Sequence, residues 1–153
     1  MVLRFFAFHF AAKSYRGFFA PFLDKYLESK MSMTPSDKAE HQKAFDETID
    51  KVDSVFDRNS FRQIGTDGKS ANQVNRAIYD VVMLTFAHIS KADLQSKRPQ
   101  IVSALQDLCN LNADFKDAIG KATRDRARIN TRVRLWGDEL RRIGLACPAL
   151  TYG

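Results

Sequence analysis

The sequence predicts an all-α protein, a single compact bundle of about six to seven helices. Apolar residues recur at three- and four-residue spacings through nearly every segment. No stretch joins strand-like alternation to hairpin turn chemistry, and only 7 glycines and 4 prolines interrupt 153 residues. The length suits one domain, large enough to bury roughly two-thirds of the surface its unfolded chain exposes. A composition 44% hydrophobic and 27% charged excludes collagen-like, low-complexity and wholly disordered chains. Residues 1–144 are expected to form the helical domain and residues 145–153 a tail.

The first helix, about 2–12, is apolar almost all round. Leu3, Phe5, Phe6, Phe8 and Phe10 leave only Arg4 and His9 as polar positions, and such a helix must be buried or bind something. Gly17 breaks the chain before a second helix at about 18–31, with Pro21 tolerable in its first turn. Residues 1–31 thus form an aromatic-rich helical pair. Thr34 as N-cap, Pro35 at the first helical position and Asp37 as the capping-box acid start a third helix running to about 57. There Phe45, Ile49, Val52 and Phe56 make a core face, and Asp46, Asp50, Asp53 and Asp57 repeat the same spacing one step round.

IGTDGKSAN, at 64–72, is the most evident loop of the chain. A central fourth helix, about 72–89, buries Val74, Ile78, Val81, Val82, Thr85 and Phe86. Ser90 caps a fifth, interrupted or bent near Pro99, with Ile101, Leu105, Leu108 and Leu111 as its apolar positions. A short helix at 113–121 and a long one at 124–143 complete the bundle.

The long helix holds the chain's most concentrated positive charge, TRDRARINTRVRLWG at 123–137. Its core stripe is Ile129, Val133, Trp136, Leu140 and Ile143. Arg124, Arg128 and Arg132 follow at one-turn intervals on a neighbouring face, with Arg142 further along. Lysine plus arginine exceed aspartate plus glutamate by 24 to 18, a net +6, which favours anionic partners mildly. These four arginines are therefore candidates for DNA phosphates. The competing expectation is that they pair internally, Arg124, Arg128 and Arg132 with the third helix's aspartate stripe, and that Asp138 and Glu139 compensate the rest.

No catalytic constellation is present. His9, His41 and His88 fall on three helices without metal-ligand or His-Asn-His spacing. The aspartate stripe suits a solvated face better than a cation site. Only Thr66 and Asp67 separate the glycines of GTDGKS, which therefore lacks phosphate-loop spacing. Cys109 and Cys147 lack zinc or redox spacing, and are expected to be a half-buried thiol and a loose-tail thiol of a reducing cytoplasm. No run approaches the ~20 apolar residues of a membrane span, and the signal-peptide-like start is brief and broken by His9. No metal, cofactor or membrane partner is expected.

LRFFAF (3–8), FLDKYL (22–27), VFDRNSFR (55–62), VNRAIYD (74–80), DFKDAIGKAT (114–123) and RVRLW (132–136) together resemble the helical C-terminal region of the domain-of-unknown-function 262 family. That family includes the Gmr-type modification-dependent restriction proteins. Its members carry a ParB/sulfiredoxin-like N-terminal domain with an Asp-Gly-Gln-Gln-Arg motif, and some end in a His-Asn-His nuclease domain; this sequence has neither. The resemblance implies a non-catalytic helical module of bacterial anti-phage defence, acting through protein contacts and DNA; the cytoplasmic expectation comes from the brief, His9-broken start. Phe5, Phe6, Phe8 and Phe10 would be the surface for a protein partner or self-association. The alternatives are a nuclease or nucleotide-hydrolase subunit whose catalytic motifs lie in a missing domain or partner, and a purely structural helical protein with paired charges.

Overall fold

A computed structural model describes residues 1–121 and 123–152; of the expected tail, Gly153 lies outside the described residues. Among those described, eight α-helices assemble around one core: α1 (Val2–Ala11), α2 (Phe19–Ser29), α3 (Pro35–Phe56), α4 (Arg76–Phe86), α5 (Lys91–Ser96), α6 (Arg98–Leu111), α7 (Ala113–Gly120) and α8 (Arg126–Arg142). The fold is predominantly helical, as the spacing predicts. The helix count rises to eight because the interruption expected as one outcome near Pro99 is present, dividing that segment into α5 and α6. None of the described helices is long and apolar enough to cross a membrane.

The start and stop signals act where the sequence places them. Thr34 accepts from the Asp37 amide while the Asp37 carboxylate accepts from the Thr34 amide at 3.0 Å, closing the capping box. Ser90, Asn112 and Asp125 cap α5, α7 and α8, each side chain accepting from a backbone amide three residues on. Gly17, at φ +92°, supplies the left-handed turn between α1 and α2.

The fourth helix is shorter than expected, because residues 62–74 form a small antiparallel hairpin, β1 (Arg62–Ile64) with β2 (Ser70–Val74). Val74, expected in the core, is an exposed strand residue. A three-residue strand is too short to display alternation, and this one is held largely from outside: the Asn110 and Gln106 side-chain amides of α6 donate to the Ile64 and Gly65 carbonyls, each at 2.8 Å. Within the turn the Gly65 amide donates to the Lys69 carbonyl at 2.8 Å.

Every residue of α4 from Ala77 to Phe86 is buried, and the helix packs against α1, α3, α7 and α8. Asp80 is therefore only 3% exposed, in the middle of the core. Arg4 of α1 donates through Nε to its Oδ1 at 3.0 Å and through Nη2 to its Oδ2; Arg132 of α8 donates through Nη2 to Oδ2 at 3.0 Å. Arg132 also donates to the Ala118 carbonyl of α7 at 3.3 Å. A second polar link joins α8 to α4, Trp136 Nε1 donating to Thr85 Oγ1 at 3.0 Å.

The terminal segment is not a loose tail. Gly144, at φ +91°, ends α8 with its amide on the Arg141 carbonyl and the Leu145 amide on Leu140, a Schellman closure. Leu145, Cys147 and Tyr152 are then buried, Tyr152 edge-on to Phe8 with ring centroids 5.0 Å apart. Asn130 fixes the Tyr152 backbone in both directions, accepting from its amide at 2.8 Å and donating to its carbonyl at 3.0 Å. Both cysteines are consequently buried, and burial raises the Cys109 thiol to about 11. Leu111, an apolar position of the expected fifth helix, is 78% exposed at the end of α6.

Removing one partner of a buried charge cluster strands the others. Asp80→Ala should therefore lower the unfolding free energy by about 3–5 kcal/mol, measured by urea denaturation; a change under about 1 kcal/mol would remove Asp80 from this role.

A second prediction concerns pH. His9 and His88 lie with ring centroids 5.6 Å apart. Desolvation, then the charges of His88 and His41, outweigh Glu40 and hold His9 below its ordinary 6.5; desolvation and the Lys51 ammonium lower His88. Below pH 6.5 the unfolded chain binds more protons at these sites than the folded one, so their contribution is complete above that pH and declines beneath it. The urea midpoint should fall between pH 7 and 5.5, and less so in His9→Gln/His88→Gln.

Candidate nucleic-acid interface

The arginines of α8 do not share one exposed face. Arg132 is 0% exposed, committed to Asp80 and Ala118, so it is not available to a phosphate and the expected row is corrected to Arg124 and Arg128. Sequence spacing placed it beside the core stripe; the buried carboxylate on α4 drew it inside. Arg128 pairs with Asp117 of α7 and also donates to the Asp117 carbonyl at 2.9 Å. Arg142 pairs with Glu139 at 2.6 Å, near the opposite end of the helix from Arg124.

Nor does the aspartate stripe of α3 receive these arginines. Among the described residues its one ion pair is Asp50 with Lys91, at 2.7 Å, while α8 draws its compensation from Asp80, Asp117, Asp138 and Glu139. Arg134 and Arg141 share Asp138, at 3.4 and 2.6 Å. The C-terminal half of α8 thus has each of its three arginines in an ion pair, two of them sharing Asp138.

The N-terminal end is different. Asp125 spends its carboxylate capping the Arg128 amide, and the first turn carries no acid while it holds Arg126 and Arg128. Cations at the positive end of a helix macrodipole each cost roughly 0.3–1 kcal/mol.

The loop after α1 lies against this end. Tyr15 donates its hydroxyl to the Arg124 carbonyl at 2.9 Å, the Arg124 guanidinium sits 5.7 Å from the Phe19 ring centroid, and Gly17 faces the Arg126 side chain. Arg126 Nε donates to the Tyr152 carbonyl at 3.3 Å, fixing its stem. Lys13 and Arg16 flank the same loop, both exposed; Arg16 is steered by the Lys13 carbonyl at 2.9 Å. Among the described residues, Lys13, Arg16 and Arg124 make no ion pair. Phe18, two residues after Arg16 and at the N-cap of α2, is 72% exposed. Lys13, Arg16 and Phe18 lie more than a hundred residues from Arg124 in sequence, so no local pattern joins them; the acid-free first turn of α8 was the one available signal.

The four phenylalanines expected at a partner surface divide. Phe5 and Phe8 are 1% and 2% exposed and belong to the core, which corrects their assignment. Phe8 meets Tyr15, Phe22 and Tyr152. Their burial follows from α1 packing on α2, α3 and α4 at once. Phe6 and Phe10 are half-buried, Phe10 stacked on His41 at 4.0 Å and Phe6 edge-on to it at 5.1 Å. Among the described residues, no group of three or more histidine, cysteine or acidic side chains is placed to hold a metal ion.

Phe8→Ala should cost about 3–5 kcal/mol of stability, seen as a lower urea midpoint of the isolated chain. A side chain acting only at a partner surface would leave that midpoint unchanged. No family model matches this sequence, and no curated protein or solved structure matches it either.

Proposed function

We propose that this chain is a non-catalytic helical module that binds the phosphate backbone of nucleic acid through Lys13, Arg16, Arg124 and Arg126, with Phe18 stacking on an unpaired base. The observation carrying this reading is the approach of the loop that bears the exposed Lys13, Arg16 and Phe18 to the start of α8, whose first turn holds Arg126 and Arg128 and no acid besides the capping Asp125. Arginine forks suit phosphate oxygens, and an aromatic near cations suits a single strand. Arg128 contributes less, because binding phosphate means competing with Asp117. The setting in a restriction-type, anti-phage assembly rests on the sequence resemblance alone. The rival structural reading draws support from the ion pairs along the rest of α8, which engage Arg132, Arg134, Arg141 and Arg142 within the fold.

Fluorescence anisotropy with labelled single-stranded and duplex DNA across a salt series tests the proposal. Affinity should fall with log salt at a slope of about 2 to 3, since each phosphate contact on a single strand contributes roughly 0.7. Arg16→Glu/Arg124→Glu should reduce that slope by at least about 1.4 and Phe18→Ala should weaken single-strand binding by about 1–3 kcal/mol. Absence of salt-dependent binding, or folded variants that bind as the parent does, would sink the reading.

A further inference from the structure

A second site of different chemistry lies between α1, α2 and α3. These helices leave an open cavity of about 430 Å³, within the range of small-molecule sites. Its walls are apolar: Leu3 and Phe6 from α1, Leu27 from α2, Met33 from the connecting turn and Phe45 from α3.

The floor is held in place. The Tyr26 hydroxyl lies 2.7 Å from His41 Nε2, and His41 Nδ1 lies 2.8 Å from the Asp37 carbonyl. A carbonyl only accepts, so Nδ1 is the donor, and Nε2 and the Tyr26 hydroxyl are hydrogen-bonded to each other. Phe6 and Phe10 close on the His41 ring from the α1 side. Burial and the nearby Glu40 charge raise the Tyr26 phenol to about 12, so it stays protonated. The cavity is therefore preformed, with its buried polar atoms already satisfied.

Its charge is polarised along its length. Lys30, whose ammonium sits 5.7 Å from the Tyr26 ring centroid, and Lys38 line the end at the α2–α3 turn, beside the positive terminus of the 22-residue α3. Asp37 on the same turn has its carboxylate engaged by the Thr34 amide and hydroxyl, at 3.0 and 2.8 Å. Asp46 lines the other end, eight residues and about 12 Å further along α3.

We propose that this cavity binds an amphipathic organic monoanion of medium length, a medium-chain carboxylate, with its head between Lys30 and Lys38 and its chain over Phe6, Leu27 and Phe45. Two cations at one end orient the head. Asp46 at the other end rejects a dicarboxylate, whose second charge would lie against it. The short reach disfavours a docked helix, because a stable protein interface needs on the order of 1,000 Å².

The test is isothermal titration of the full chain with decanoate, and with 1-decanol as the neutral control. Decanoate should bind once per chain and at least about tenfold more tightly than decanol. Lys30→Glu/Lys38→Glu should erase that preference while leaving decanol binding in place. Leu27→Trp, which fills the mouth from an exposed position, should abolish binding of both with an unchanged circular dichroism spectrum. The proposal fails if decanoate shows no saturable binding, if decanol binds equally well, or if the lysine pair is without effect. It fails equally if light scattering finds a dimer that Leu27→Trp dissociates, since the occupant is then a second copy, or if the chain binds anionic vesicles but not monomeric decanoate.

Discussion

A helix buried on every side has no room for a charge, yet α4 carries Asp80 at its middle, and the organisation of the bundle follows from how that charge is met. Desolvating a carboxylate costs several kcal/mol even after relaxation, so the core is stable only when cations arrive with good geometry. One comes from residue 4 and the other from residue 132, both reaching the same carboxylate. The Arg4 guanidinium also lies 4.4 Å from the Phe19 ring centroid of α2, and Arg132 reaches the Ala118 carbonyl of α7. A single buried carboxylate thereby ties together α1, α2, α4, α7 and α8. The cluster holds two positive charges against one negative, and burial lowers the Arg132 pKa against the opposing pull of Asp80.

The same arrangement explains the aromatic beginning of the chain. With Arg4 held inside, α1 must run through the core, and Phe5 and Phe8 are carried in with it. Phe8 then packs on Tyr15, Phe22 and the returning Tyr152, so the two ends of the described chain meet around one ring. Phe6 and Phe10 face α3 instead and stay half-buried, lining and backing the cavity beside His41. An apolar helix that looks like an unpartnered surface in sequence is thus largely partnered by its own fold.

The two candidate sites are built from different elements of this frame. The cationic surface is assembled from a loop held by Tyr15 and Gly17 against the start of α8, where charge and helix dipole conflict. The cavity is assembled from three helix faces that diverge above the Tyr26–His41 pair. Neither needs a residue of the ion cluster, although both depend on it for the position of α1.

Local rules determined much of this protein. Thr34, Pro35 and Asp37 specify the start of α3, Ser90 that of α5, and the Ile129–Val133–Trp136–Leu140 stripe the inner face of α8, because capping and helical periodicity are written in neighbouring residues. The β1–β2 hairpin escaped them, since its short strands are stabilised by Asn110 and Gln106 some 40 residues away in sequence. So did the fate of Arg132, whose spacing from Arg128 is that of an exposed row but whose position is set by a carboxylate 52 residues earlier. The folded-back segment at 145–152 is likewise decided by Asn130 and Phe8 rather than by its own composition. The grouping of Lys13, Arg16 and Phe18 with Arg124 required the whole bundle. The sequence alone determined which segments are helical and which faces are apolar; only the tertiary structure decided which charges are buried and which remain exposed, because that depends on the partner each meets in space.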